Sequence, residues 1–277
     1  KALVEKGLSN YHNAFASIYE GRFLAGVAAG MKLNEMIEAG TITADKAKMG
    51  YVGAFTYAEV ISGLTSFYLG AKYVCPSVTM DVQFTGEWYD ENKEKAAALA
   101  LMDAGCVLIS QHADSMGAPS ACEDRNVPNV SYNGSTEAAC PNTFIVSSKI
   151  DWTPYVKYIC ESTMNGTEIK ADWCGDTKTG SVKLSDLGKK AAAAGTQAKI
   201  DEVKALLESG KLHVFDTATF TVDGKTLTTY LADVDDMGDY VKETEAIKDG
   251  YFHESEYRSA PYFDLRIDGI TFLNEKY

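Results

Sequence analysis

Along this chain, apolar positions recur first at helical spacing and then in short strand-like runs. Small and apolar residues fill 13–40, which predicts a first helix there. Its Gly21, Ala25, Gly26, Ala29 and Gly30 form a face that a second backbone can approach closely. The Gly26–Gly30 spacing also suits a membrane dimer, but the apolar stretch is too short to span a bilayer. Packing within a soluble core is the reading. Strands are then expected over 49–55, 78–84, 106–110 and 127–132. Helices fall between them at 57–72 and at 90–105, the latter closed by Gly105, with a short helix or turn in MGAPSACEDR despite Pro119. Residues 106–110 are nearly all apolar, as in a strand buried on both faces. Strands separated by single helices predict an α/β fold with a parallel, doubly wound sheet. After Thr143 the rhythm changes to a strand over 143–150 and a helix over 153–166 with proline at an early position. Asp-Gly hairpin signals follow in VDGK (222–225) and RIDGITF (266–272), and the last seventy residues read as short strands, turns and acidic loops.

In an open parallel sheet, ligands bind outside the carboxyl ends of the strands, near a switch in strand order. That rule selects four turns: FTYAE (55–59), TGEWYD (85–90), QHADS (111–115) and NGSTE (133–137). Trp88, His112, Asp114 and Asn133 are the candidate ligand residues in the last three. Each has a plainer alternative. Trp88 can be a packing plug, His112 a satisfied core histidine, and Asn133 a turn residue before Gly134. Asp114 can accept from sugar hydroxyls or ring N–H groups, or add favourable charge at the start of a helix capped by Ser115. Thr56 and Glu59 match a capping box, and Asp90 reads as the N-cap of its helix. Asp151 and Trp152 follow the strand where the rhythm breaks, a natural crossing between lobes. Trp173 falls in a glycine-rich polar stretch, so all three tryptophans lie in predicted loops, open to stacking a flat ligand.

The His112, Asp114, Ser115 group lacks the strained elbow of a serine hydrolase, and the four histidines lack metal spacing. His253 and Glu254 to Glu256 read as an acidic solvated loop. No dinucleotide or ATP loop occurs. No catalytic residue, metal site or cofactor is assigned, and binding without chemistry is the expectation.

Composition narrows this further. With 277 residues the chain suits two lobes or one large α/β domain, and 45% hydrophobic against 23% charged residues excludes disorder. No apolar run reaches membrane length. The opening KALVEKGLSN is no signal peptide, so a mature or trimmed segment is expected. A net charge of −13, with 17 acids against 8 bases in 201–277, repels phosphate backbones and argues against nucleic acid. Six cysteines without a CxxC pair argue against zinc and lean toward an oxidising compartment. Spacing suggests the pairs Cys75–Cys106, Cys122–Cys140 and Cys160–Cys174, the alternative being six free thiols that pack as small hydrophobes.

Six stretches carry a resemblance: IYEGRFLAGVAAGM, MGYVGAFTYAEVISGLTSFYLGAKYVCP, GEWYDENKEKAAALALMDAGCVLISQHADS, YNGS, DWTPYVKYI and GKLHVF. In this order the chain resembles the basic membrane protein family, the PnrA-like substrate-binding lipoproteins of ABC transporters. The resemblance implies a type I periplasmic-binding-protein fold, with two α/β lobes, a hinge and a ligand clamped between them. It implies a purine nucleoside or nucleobase as ligand, an ABC permease as partner, and an extracytoplasmic protein, lipid-anchored at full length. The family carries several strand–helix units before YEGRFLAG, so most of the amino-terminal lobe is expected to be absent from this chain. Residues 1–46 would be its remnant, 47–150 the carboxy-terminal lobe, and 151–277 hinge crossings and shared elements. Matching local patterns carry the ligand-binding role to Phe55, Trp88, His112, Asp114, Asn133, Asp151, Trp152 and Trp173. The rival readings are a nucleoside-acting enzyme and a ligand-sensing domain on the same fold.

Overall fold

The structure, a computed structural model, describes residues 6–8, 10–234 and 241–275. The helix expected over 13–40 begins later: Asn13–Ala16 is a strand, β1, and α1 runs Ile18–Glu38. There follow β2 (Lys48–Gly53), α2 (Ala58–Val74), β3 (Thr79–Phe84), α3 (Glu91–Asp103), β4 (Leu108–His112), α4 (Gly117–Arg125), β5 (Asn129–Tyr132) and β6 (Phe144–Ile150). Next come α5 (Thr153–Asn165), β7 (Asp172–Gly175), β8 (Val182–Leu184) and α6 (Thr196–Glu208). The remainder holds β9 (Leu231–Ala232), β10 (Thr244–Glu245), β11 (Ile247–Lys248), β12 (Tyr251–Phe252) and β13 (Ile270–Phe272).

Seven strands form the main sheet in the order β13-β3-β2-β4-β5-β6-β8. All its pairings are parallel except β6 with β8. Helices cover both faces, so the central strands are buried on both sides. Leu24, Leu33, Leu64 and Phe67 of α1 and α2 pack on one face, and Ala98, Leu101, Ala118 and Ala121 of α3 and α4 on the other. The small-residue stripe has a direct cause. A Cβ on Gly26 would stand 2.0 Å from the carbonyl oxygen of Phe67, and one on Gly70 2.0 Å from that of Phe23. The two helices therefore cross with their backbones in contact, a packing that only glycine permits.

Three further sequence expectations are corrected. The strand expected at 106–110 starts two residues later, because Cys106 is used to close α3. Its N–H bonds the carbonyl of Leu101, with Gly105 at φ 90. The polar Gln111 and His112 thus fall inside β4. The RIDGITF segment is no hairpin: after Gly269, β13 joins the sheet edge parallel to β3. Asp268 instead reaches back to accept from Thr221 Oγ1 and the Gly224 N–H. The VDGK turn does form, with Val222 bridged to Lys225 and Asp223 and Gly224 both at positive φ.

The third correction concerns the cysteines. All six are free thiols. Cys75 packs in the core of the α1–α2 face and Cys106 in that of the α3–α4 face, so the sheet stands between them. Cys122 and Cys140 are buried, and Asn129 Nδ2 donates to Cys122 Sγ at 3.7 Å. Cys160 is exposed on α5, while Cys174 Sγ lies 3.4 Å from Ser17 Oγ.

Candidate functional site

Strand order places the switch point at β2, since the chain leaves it for β3 on one side and returns to β4 on the other. The carboxyl ends of four neighbouring strands then deliver Phe55 and Tyr57 after β2, Trp88 after β3, His112 and Asp114 at β4, and Tyr132 and Asn133 at β5. Their rings form a continuous row. Phe55 stacks on Tyr57 at 5.0 Å and meets Trp88 at 5.3 Å, Trp88 lies 6.4 Å from His112, and His112 lies 4.3 Å from Tyr132. Tyr57 and Trp88 present exposed faces.

Loop bonds hold this row. The Asp114 N–H donates to the Trp88 carbonyl at 2.9 Å, joining the turns after β3 and β4. Asp90 caps α3 as expected, accepting from the Lys93 N–H at 3.0 Å. The buried Glu94 carboxylate accepts from the Asp90 and Ser115 N–H groups and so fixes both turns together. Ser115 is not the N-cap of α4, which is Met116; its hydroxyl accepts from the Gly117 N–H at 3.1 Å instead.

Beneath the rings lies a buried polar floor. His112 is 1% exposed, and neither ring nitrogen has a hydrogen-bond partner. Burial first, and then the nearby Arg22 charge, push its pKa down to about 3, so the imidazole is neutral at physiological pH. It offers one N–H donor and one lone pair. Arg22 of α1 is 0% exposed and donates to Tyr51 OH at 2.7 Å and Ser110 Oγ at 3.0 Å. Its guanidinium also lies against the rings of Tyr51, Phe67 and Tyr132. No carboxylate pairs with it among the described residues, which is unusual for so deeply buried a charge.

Two acids flank the rings. Asp114 is exposed at the rim. Glu59 does not form the expected capping box, because Tyr57 is the N-cap of α2 and no side chain caps it. Burial and then the charge of Asp114 raise the Glu59 pKa. Beyond Tyr57 opens a cavity of about 360 Å³ whose walls include Lys242, Arg258, Tyr262 and Asp264.

The remaining predicted residues follow β5 and β6 on the same edge, except Trp173, which belongs to the separate β1–β7 sheet. Asn133 occupies a left-handed turn at φ 61. Asp151 and Trp152 follow β6, with Asp151 bound to Lys183 Nζ at 2.7 Å. Trp173 lies in strand β7 rather than a loop, its ring 4.9 Å from Tyr155. Thus Phe55, Trp88, His112 and Asp114 come together, while Trp152 and Trp173 form a separate group through Tyr155. The 253–256 stretch is not a solvated loop: His253 and Glu254 are buried. Sequence reasoning passed over Arg22, Tyr57 and Tyr132. A charge at the head of the small and apolar run to Gly30 marks the first, and the turns already selected contain or adjoin the other two. Among the described residues no His, Cys, Asp or Glu cluster could hold a metal ion, and no helix is long and apolar enough to cross a membrane.

Comparison with known proteins points one way. The family of PnrA-like ABC transporter substrate-binding proteins matches residues 2–213. A purine-binding protein of Brucella abortus is 30% identical over 210 residues, covering 76% of this chain and 56% of its own. A Haloferax volcanii protein named as a putative ABC transporter glucose-binding protein is 36% identical over 172 residues, 62% of this chain and 41% of its own. The chain spans about half the length of these curated relatives. A solved ABC transporter solute-binding protein of Aeropyrum pernix matches with TM-score 0.63 at 18% identity, over 75% of this chain and 66% of that one. That likeness establishes the type I periplasmic-binding α/β fold with its parallel, doubly wound sheet.

Proposed function

We propose that this chain, which belongs to the PnrA-like family of ABC transporter substrate-binding proteins, binds a purine nucleoside or nucleobase and delivers it to a permease. The family consists of binding proteins, not enzymes. The observation that carries the reading is the row of Phe55, Tyr57, Trp88 and Tyr132 rings at the switch point, with the Asp114 carboxylate at its rim. Aromatic faces stack a planar base, and a carboxylate accepts from its N–H groups. The purine-binding relative supports this ligand class. Asn133, Asp151 and Trp152 extend the same edge, Trp173 joins them through Tyr155, and all four are candidates for contact once the ligand is enclosed. Residues 151–277 then supply hinge crossings beside the 47–150 lobe and the 1–46 segment. Ligand stabilises the closed form, which the permease recognises. The protein works outside the cytoplasm, anchored by lipid at full length.

A second ligand class has its own support, since the Haloferax relative carries a glucose-binding name. Titration calorimetry with adenosine, guanosine, inosine, hypoxanthine and glucose, with product analysis of each mixture, separates the readings. Saturable purine binding without turnover is the expected result. Glucose binding alone, or release of free base from a nucleoside, overturns it.

A further inference from the structure

Glu59 and Asp114 are acids without a match. Neither carboxylate takes a hydrogen bond or enters an ion pair among the described residues. Neighbouring charged groups have partners of their own. Glu94 accepts from two backbone N–H groups, Glu87 pairs with Lys93, and the Arg22 cation below is committed to Tyr51 and Ser110. The two unpaired carboxylates therefore stand together at the rim of the aromatic row.

His112 is an independent sign of a missing partner at the same place. It is 1% exposed with both ring nitrogens unpaired. Its Nδ1 lies where a Cβ on Gly63 would come within 2.9 Å, and Glu59 stands one helical turn earlier on that face of α2. The orphan imidazole thus sits under the Glu59 side of the site, beside the Trp88 and Tyr132 rings. A buried polar group left unpaired is costly, and a ligand that pairs it gains accordingly.

We propose that Glu59 and Asp114 are specificity-determining residues that select purines carrying an amino group beside a ring N–H, the guanine edge, over purines that lack it. This rests on the reading that a purine occupies the aromatic row. The guanine edge presents one carbonyl acceptor and two adjacent donors, the ring N1–H and the 2-amino group. The donors complement a carboxylate in bidentate fashion, and the carbonyl complements the N–H of a neutral imidazole. Hypoxanthine keeps the carbonyl and N1–H but lacks the amino group, so a carboxylate oxygen stays unpaired.

The test titrates guanosine and inosine, which differ only in that amino group, into the unaltered protein and into Glu59→Gln, Asp114→Asn and Trp88→Ala. A hydrogen bond to a charged group separates the two ligands by about tenfold or more. The unaltered protein is expected to bind guanosine at least about tenfold more tightly. Glu59→Gln, Asp114→Asn or both should cut that ratio to within about threefold, while Trp88→Ala weakens both ligands and keeps it. Equal affinities in the unaltered protein, or a ratio retained in both carboxamide variants, overturn the amino-group selection and leave purine binding standing. Binding of neither nucleoside by protein with an intact melting transition overturns the purine reading, and this inference with it.

Discussion

Two groups of aromatic rings, one at the ends of β2 to β5 and one after β6, are built differently. The group at β2 to β5 draws rings from four strand ends, over a buried floor of Arg22 and His112. Its acids Glu59 and Asp114 are unpaired. The group after β6 is carried by α5 and the two-stranded β1–β7 ribbon. There Trp152 is 43% exposed, with its ring 6.3 Å from Tyr155, and Asp151 is already bound by Lys183 and the Thr153 N–H. Both groups are rich in tryptophan and tyrosine. Only the first combines convergence from several strands with hydrogen-bonding capacity that the protein itself does not use. That combination, rather than the number of rings, marks a site.

The contrast can be broken hardest at Arg22. Truncation to alanine leaves a cavity and removes the partner of Tyr51 OH, so Arg22→Ala should destabilise the fold by about 3–5 kcal/mol in urea denaturation. Arg22→Met, which keeps volume and removes the buried charge, should lose less than half as much. At the other group, Lys183→Ala should lower the midpoint only slightly, because its ion pair with Asp151 is a surface contact. An unaffected Arg22→Ala would mean that the polar floor is not structural.

Acidity separates the regions next. Glu254 is 2% exposed and accepts from Ser62 Oγ and the Tyr262 and Phe263 N–H groups, tying the 254–263 segment to α2. Burial pushes its pKa up to about 8 from an ordinary 4.5. Between those values the folded chain keeps a proton that the unfolded chain has released. Its contribution to stability is therefore full below about pH 4.5 and lost as pH rises through 8, at up to about 1.4 kcal/mol per unit. Asp151 has the opposite sign. Lys183, and then Thr153, hold its carboxyl well below the usual range, so its contribution is present at neutral pH and lost only in strong acid. Urea denaturation between pH 5 and 8 should show the declining Glu254 component, and Glu254→Gln should remove it. A Gln variant with the same slope as the unaltered protein rules Glu254 out as its source.

Much of this was legible in the sequence, because the strand-end rule needs only the succession of strands and helices. The alternation shows β2 through β6, and the turns after them contain Phe55, Trp88, His112 and Asp114. What stayed hidden depends on contacts distant in sequence. Asn13–Ala16 looks helical from its small neighbours, but it pairs with Asp172–Gly175, which also turns the Trp173 loop into a strand. The edge strand β13 is specified by β3, not by the Asp-Gly signal before it. Thr56 and Glu59 match the capping-box spacing, yet the helix starts from Tyr57 and leaves the Glu59 carboxylate out of the cap. Arg22 was visible as a charge opening the small and apolar run that continues to Gly30, but its partners at β2 and β4 could be known only from the fold.

Binding energies sharpen the comparison at smaller scale. Trp88→Ala should weaken purine binding by about 1–3 kcal/mol, the usual worth of a base–aromatic stack. Trp152→Ala should cost less than half of that, since its only ring neighbour among the described residues is Tyr155. Equal losses would place the second group against the ligand in the closed form. The smallest effect belongs to Asn133, between the two groups. Its φ of 61 is one that asparagine tolerates and glycine adopts freely, and its side chain is exposed. Asn133→Gly should therefore shift stability by less than about 0.5 kcal/mol, whereas Asn133→Ala, with a Cβ and no local hydrogen bond, should cost about 1 kcal/mol. If Asn133 serves only the turn, both variants keep the affinity of the unaltered protein in calorimetry. A loss of affinity common to both, despite their different stabilities, would instead extend the binding edge past β4 toward Trp152.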